Sequence, residues 1–463
     1  MFTRFQCRDA TIDIDAAYYN PAGLVHMSSG FYLSLNNQTV GKVELIRSDN
    51  SNLSDGSGDY KGTILTPVFP GIYTVYRIGR FAFSGGINPI AGEGTRKYTN
   101  GLPSYERVIA DAIPAMRNSL GGIDASLSIV DEDPLYRNIT GYSFDMEMAE
   151  KNLSMGYQAG IAYMINSYLS VAAGIRIVDS RSYIRADVTG VTIDVATNSG
   201  SYTFAPDSYL GMVAEIATQI DETINVSELS LIADGMRGIK QMQVDLSRRD
   251  IGFTPVLGLN YAPSLMTNWA LKYEFRTKID LVTTINDGKD GNGDYRDGEI
   301  VSADIPAMLS IGVTRRPNRK IMIYSGIHYY FDKPVDFDGV SGISMEVIDD
   351  NTYEFAVGAE YRLSPELRAS AGWLITRPGV NSSYQRENRF ALASNTLGGG
   401  VGLRISPLVD LNLGISYTLF KKDEKELSYK PEYSEDMVTI REYYDTRKLV
   451  ISAGLDFLFG ENR

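Results

Sequence analysis

Cysteine and histidine are nearly missing: one Cys and two His occur in 463 residues. Cys7 alone can form no internal disulfide, so no disulfide framework holds this fold. With only His26 and His328, a histidine-built metal centre and a Ser-His-Asp relay both lack parts. The sequence also carries no P-loop, no His-Glu-x-x-His, no Gly-x-Ser-x-Gly and no paired cysteines, and it reads as a non-enzyme. Gly398-Gly399-Gly400 falls within an expected strand, where glycines serve packing or curvature rather than a phosphate. No apolar run reaches the roughly 20 residues of a membrane helix. The chain is therefore soluble or crosses a bilayer as a closed barrel. A net charge of −13 argues against nucleic acid as a partner.

Tyrosine and glycine are abundant, and mean hydropathy is slightly negative, as suits a barrel with one polar face. Alternation with a period of two is the main pattern. Trp269, Leu271, Tyr273, Phe275, Thr277, Ile279 and Leu281 fall on one face, against Lys272, Glu274, Arg276, Lys278 and Asp280 on the other. Such a strand has one solvated side and one greasy side. The pattern returns at 353–361, 367–375 and 449–459. Alternation alone also fits a soluble sandwich, but turn lengths discriminate. Short connections at 76–80, 165–168, 262–268, 315–320, 364–366 and 406–409 alternate with much longer ones, the arrangement of an outer-membrane barrel. Fourteen strands are expected, near 30–46, 62–75, 80–90, 150–164, 168–190, 251–262, 268–285, 301–315, 320–332, 352–363, 367–376, 389–405, 410–421 and 446–459.

Ahead of the first strand lies Asn20-Pro21-Ala22-Gly23-Leu24. Pro21 fixes its own φ and biases Asn20 toward an extended conformation, and Gly23 permits a tight bend. On its own this is a rigid turn before a strand. An Asn-Pro-Ala turn ahead of a long series of amphipathic strands resembles the N-terminal hatch of the FadL-type long-chain fatty-acid transporters of Gram-negative outer membranes. That family also includes transporters of aromatic hydrocarbons. Strand-turn-strand units at 254–276, 305–330 and 353–375 look like those of the same family, and the similarity spans most of the chain, strongest from residue 250 onward. The resemblance implies an all-β fold: a 14-stranded antiparallel transmembrane β-barrel over residues 30–463, with long extracellular loops near 91–149 and 190–250. Residues 1–29 would be a hatch plugging the lumen, with Asn20, Pro21, Ala22 and Gly23 at its turn. It further implies a monomer that takes up small hydrophobic molecules passively, by loop capture, hatch movement and lateral release. Its partners would be the hydrophobic ligand, outer-membrane lipid with lipopolysaccharide, and the barrel-assembly machinery. Two departures stand out. The start, Met1 to Cys7, carries no basic-then-apolar leader, which an outer-membrane protein needs. The chain also ends four residues past Phe459, whereas many such barrels end on the aromatic residue itself.

The loops carry the candidate site. The connection 91–150 holds Tyr105, Val108, Ile109, Ala112, Ile113, Met116 and Leu120 at helical spacing, with Glu106, Arg107, Asp111 and Arg117 opposite. The connection 190–249 holds two more helices, one with Leu210, Val213, Ile216, Ala217 and Ile220, the other with Leu229, Ile232, Met236 and Ile239 after a cap at Ser227. Two readings stay open. The helices bury their apolar faces on each other and close the barrel top, or they present a greasy groove, lined by Ile113, Met116, Leu210, Val213, Ile232 and Met236, for first capture of a ligand. The resemblance implies such a groove, and methionine adapts to ligand shape. In the third strand, Gly85, Gly86 and Pro89 weaken pairing and favour a bulge. They either end a strand or make the kink that, in the resembling family, opens the wall sideways. In the loop 287–299, Asp290, Asn292 and Asp294 have the spacing of a calcium loop's first ligands, but Tyr295 stands where glycine is expected and Val301 at the twelfth position. A possible calcium site and a solvated acidic loop both remain, and no other cofactor is required. Two further functions compete: a diffusion porin for polar solutes, given the charged row at 272–280, and a surface barrel binding haem or another ligand through tyrosine or methionine.

Overall fold

The computed structural model describes residues 2–53, 56–127, 139–197, 200–240, 242–291, 293–333, 335 and 347–460. Its strands are β1 (Gly30–Asp49), β2 (Ser57–Ile78), β3 (Phe81–Tyr98), β4 (Ile139–Met164), β5 (Leu169–Thr197), β6 (Gly200–Phe204), β7 (Gln243–Ser264), β8 (Thr267–Glu274), β9 (Asp280–Asp290), β10 (Ile300–Ser302), β11 (Ala307–Arg315), β12 (Ile321–Phe331), β13 (Tyr353–Arg362), β14 (Leu367–Arg377), β15 (Ser394–Ser406), β16 (Val409–Phe420), β17 (Asp423–Tyr429) and β18 (Val438–Gly460). All pairings are antiparallel neighbours, and β18 pairs back onto β1 with Gly30 opposite Gly460. The sheet is thus a closed barrel of fourteen staves. β8 and β9 share one stave, as do β10 with β11 and β16 with β17, and β6 is a short flap on β5. Closure gives every stave a neighbour on each side.

The wall follows from the alternation. Phe31, Trp269, Tyr353, Trp373, Ile451 and Phe459 face outward and are exposed, while Lys272 and Glu274 face the lumen and are buried. An apolar belt around a closed barrel is stable in hydrocarbon and not in water. All the short hairpins lie at one end and the long connections at the other.

Two expectations need correction. Strands reach further toward the loop end than the alternation suggests: β4 begins at Ile139 and β5 runs to Thr197. The long connections shrink to 99–138 and 198–242. Above the belt the pattern reverses: the outward face carries ion pairs such as Arg181–Asp179 and Arg185–Asp187, while Ile184, Ala186 and Val188 on the inward face are buried in a core shared with Ile109. The row from Trp269 to Leu281 also does not stay on one face. The stave breaks between β8 and β9, and Thr277 and Ile279 are buried while Lys278 turns out to solvent. Asp304 causes the flip, pairing with Arg276 and accepting from the Ile279 N–H at 2.7 Å.

Residues 2–29 form no barrel strand. They hold two single-turn helices, α1 (Phe2–Phe5) and α2 (Ala16–Tyr19), and a 3-10 turn at Pro21–His26. This segment crosses the lumen, with α1 against β13 to β16 and the 3-10 turn against β2 to β5 and β7. The loop end carries α3 (Pro103–Leu127), α4 (Pro206–Ile220) and α5 (Ser227–Lys240). Ser227 is the first residue of α5, and the capping bond comes from Asn225, whose side chain accepts from the Ser227 N–H at 3.0 Å.

Candidate functional site

The hatch has little secondary structure, so its backbone carbonyls need partners from elsewhere. The wall supplies them. Gln158 donates to the Ala17 carbonyl, Ser170 to Ala22, Lys272 to Tyr18, and both Asn268 and Thr314 to Ala10. Asn20 is the hub of the turn. Its amide donates to the Thr11 carbonyl at 2.9 Å and to Asn260 Oδ1 at 2.8 Å, and its Oδ1 accepts from the Gly23 N–H at 3.2 Å. Pro21, Ala22 and Gly23 are buried beside it, Ala22 in a cluster with Leu24, Val25 and Tyr73. Removing the amide strands several buried groups, at about 1–3 kcal/mol each. Asn20→Ala is therefore expected to speed amide exchange across the hatch while the barrel's melting stays in place.

Charge fastens the other half of the hatch. Arg8, fully buried, bridges Asp13 at 2.8 Å and Asp15 at 2.6 Å. Arg4 reaches Glu360 at 2.9 Å, Ser370 at 3.0 Å and Asn412. Asp9 meets His328 Nε2 at 2.6 Å, and Nδ1 of that imidazole meets Glu354 at 2.8 Å. Inward glycines make room. A Cβ at Gly358 or Gly372 would strike the Phe5 carbonyl, and one at Gly398 the Thr3 carbonyl. Gly398 and Gly400 thus sit against the hatch.

Beside the hatch the wall is open. β2 and β3 pair at Gly62–Ile64 with Arg96–Tyr98, and again from Ile72 opposite Ile87 down to the turn, with no ladder between. Seven residues of β2, 65–71, and eight of β3, 88–95, are unpaired with each other. Each edge keeps its outer neighbour, though with bulges. β2 bulges against β1 between Gln38 and Val40, and β3 bulges twice against β4, at Pro89/Ala91 and at Gly92/Gly94. Gly92 and Gly94 have φ of +85° and +109°, which glycine adopts without strain. The freed backbone groups find side chains: Asn37 and Thr39 donate to the Pro67 carbonyl, and Thr66 donates to the Glu93 carbonyl at 2.6 Å. Leu65 and Val68 at the edge are 71% and 67% exposed.

This relocates the expected kink. Gly85 and Gly86 lie in regular register, opposite Thr74 and Tyr73 on β2 and Ala159 and Gln158 on β4. Pro89 stands at the first bulge, and Gly92 and Gly94 are the residues that sequence reasoning missed. Their local signal, two glycines flanking Glu93 after a proline, was present in the chain.

At the loop end, Ile113, Met116, Leu210, Val213, Ile232 and Met236 do come together, as a closed core. Each is buried, so they pack α3, α4 and α5 on one another rather than lining an open groove. The apolar residues left exposed on these helices include Val108, Met212, Ile220 and Leu231. Below them, Arg107 of α3 reaches Glu387 at 3.3 Å and Glu442 at 3.5 Å. Burial and then repulsion from Glu442 push the Glu387 carboxyl up to about 7, against the pull of Arg107 and Ser104. A carboxyl raised in this way favours the packed loop when protonated and disfavours it as pH rises through about 7. Amide exchange in α3 is expected to quicken from pH 5 to pH 8 beyond the intrinsic rate, and Glu387→Gln to remove that dependence. In the loop 287–299, Asn292 lies outside the described residues, and Tyr295 stacks under Arg248. Among the described residues no group of three or more His, Cys, Asp or Glu side chains converges on a metal position.

No protein-family model matches the chain, and no curated protein matches it in sequence. Solved structures do match in fold. A Pseudomonas aeruginosa FadL homologue superposes with a TM-score of 0.62 at 14% identity, over 99% of this chain and 97% of that one. The P. putida toluene transporter TodX gives 0.54 at 13% identity, over 98% and 95%. The Ralstonia pickettii toluene transporter TbuX gives 0.50 at 15% identity, over 97% and 94%. Along nearly its whole length, this chain has the fold of the FadL-type barrels.

Proposed function

We propose that the protein is a bacterial outer-membrane channel for passive uptake of small hydrophobic molecules, long-chain fatty acids or aromatic hydrocarbons. One observation carries the reading: a stretch of wall without ladder, edged by exposed Leu65 and Val68, stands beside a plugged lumen. A hatch tied to the wall by so many hydrogen bonds blocks the straight route that a porin needs. A greasy molecule captured at the loop helices descends to the hatch and leaves sideways into the bilayer. Each step keeps apolar surface from water, at about 25 cal/mol per Å². The fold shared with a FadL homologue and toluene transporters supports the same reading. The polar strand extensions above the belt would meet lipopolysaccharide, and the barrel-assembly machinery would insert the chain as a monomer.

Native mass spectrometry of the detergent-purified protein, followed by organic extraction, tests this. An apolar molecule distinct from the detergent is expected, together with little steady conductance in a planar bilayer. An empty barrel with large steady conductance would be that of a diffusion porin and would contradict the proposal.

A further inference from the structure

We propose that Lys42 and Lys448 form a carboxylate-binding site that the chain itself occupies with Glu93, and that an anionic amphiphile frees the β3 edge of the wall opening by taking Glu93's place. The inference rests on the uptake reading and narrows its substrate class to carboxylates with an apolar tail.

Lys42 of β1 and Lys448 of β18 stand directly opposite each other. Like charges so placed repel unless a counter-charge joins them. Glu93 provides it from β3, on the far side of β2 from β1, with Oε2 at 2.7 Å from Lys42 and Oε1 at 2.6 Å from Lys448. Each carboxylate oxygen serves one ammonium. Lys42 has a second partner in Glu44 at 2.9 Å. Glu93 is the one carboxylate paired with Lys448 among the described residues.

The backbone at Glu93 is held weakly. It is the extra residue of the Gly92/Gly94 bulge, so it has no partner on β4, and it lies in the stretch unpaired with β2. Glycines of positive φ flank it on both sides. Its anchors toward the other edge are the Thr66 hydroxyl and the two lysines. The side chain is therefore a clasp on an otherwise loose segment.

An incoming carboxylate exchanges anion for anion. Both ammonium groups keep a counter-charge throughout, so the exchange avoids the cost of unpaired charge within the barrel. Glu93 is then free to swing away with its segment, and the apolar tail meets Leu65 and Val68 at the gap. A neutral hydrocarbon or an ester supplies no anion and leaves the clasp shut. The Glu93 side chain is 27% exposed, so an anion in the lumen can reach the lysines.

The test measures binding of octadecenoate and of its methyl ester to the full-length protein in a non-ionic detergent. Variants are Glu93→Gln and the combination Lys42→Gln, Lys448→Gln, Glu93→Gln, each checked for heat-modifiable gel migration as a sign of a folded barrel. The wild type is expected to prefer the acid. In Glu93→Gln the acid-to-ester preference should rise about tenfold, the worth of a charge-assisted hydrogen bond. In the triple variant it should fall to parity. Amide exchange of residues 88–95 should quicken with the acid and not with the ester. An identical acid-to-ester ratio in all three folded proteins, with the ester still bound, would overturn the site and leave the uptake reading standing. A wild type that binds neither compound would overturn the site together with the fatty-acid branch of the uptake reading.

Discussion

Deletion of Ile90, with Pro67→Thr, Pro70→Thr and Pro89→Thr, is expected to close the wall and cut uptake of hydrophobic substrates at least about thirtyfold. The argument is one of register. Between the two paired blocks, β3 has eight residues and β2 has seven, so removing one residue of β3 lets the ladder run through. Ile90 is the natural choice because it is the extra residue of the first bulge against β4, and its loss leaves the flanking partners in place. The three prolines lack the N–H that a ladder needs, and threonine supplies it while keeping a strand-forming side chain. Each restored hydrogen bond contributes about 1 kcal/mol net, and two of them already lower an open population about thirtyfold. Gly85→Val with Gly86→Val is the contrasting variant. Both positions already pair on both sides, so the opening should persist. Uptake is measured in cells lacking any other transporter for the substrate. Wild-type uptake by the Ile90 deletion, in a folded barrel, would remove the lateral route.

Oxidation of Gly326→Cys is expected to bring uptake down to background, and reduction to restore it. A Cβ at position 326 lies 3.0 Å from the sulfur of Cys7. Across a disulfide with an S–S bond of about 2.05 Å, that separation is about 3 Å. One substitution therefore ties the hatch to β12 through the chain's own cysteine, provided the carboxylate end of Asp9 turns aside. Burial and then the charge of Asp9 push the Cys7 thiol well above its ordinary pKa, so the bond forms under an added oxidant such as copper phenanthroline. Gly326→Cys with Cys7→Ser is the control, which cannot form the link. Loss of uptake only in the oxidised, linkable protein means that the hatch must move. Full uptake with the link in place would mean that substrate passes a stationary hatch.

Much of the fold was legible because one physical demand sets it. Each stave must show an apolar face to hydrocarbon, so Phe31, Trp373 and Ile451 alternate with lumen residues, and six short turns mark one end. The pattern fails where that demand ends. Above the belt the alternation reverses, with Arg181 and Arg185 outward and Ile184 and Ala186 buried inward, and the stretches of β4 before residue 150 and of β5 past residue 190 were not foreseen. The flip at Thr277 and Ile279 depends on Asp304, a partner 28 residues from Arg276 that no local period announces.

The site was legible in the same partial way. The stiffness of the Asn20-Pro21 turn is local, whereas its partner Asn260 lies 240 residues away. The apolar faces of α3, α4 and α5 were readable from spacing, but periodicity does not say whether such a face meets solvent or another helix. Gly85 and Gly86 look as permissive as Gly92 and Gly94. Only the registers against β2 and β4 reveal which pair is bulged. Gly358, Gly372 and Gly398 each read as an ordinary strand glycine until the hatch lies on them.

The most direct test of the central claim is photolabelling during transport. A long-chain fatty acid carrying a diazirine at the end of its tail would be irradiated during uptake by the protein in its native membrane, and the labelled peptides mapped. Lateral release predicts label on both edges of the opening, residues 65–71 and 88–95. The alternative exit is the cavity of about 940 Å³ at the short-turn mouth, lined in part by Ile12, Ile14, Met27, Leu265 and Met266. Label confined to that mouth, with none on either edge of the opening, would contradict the account.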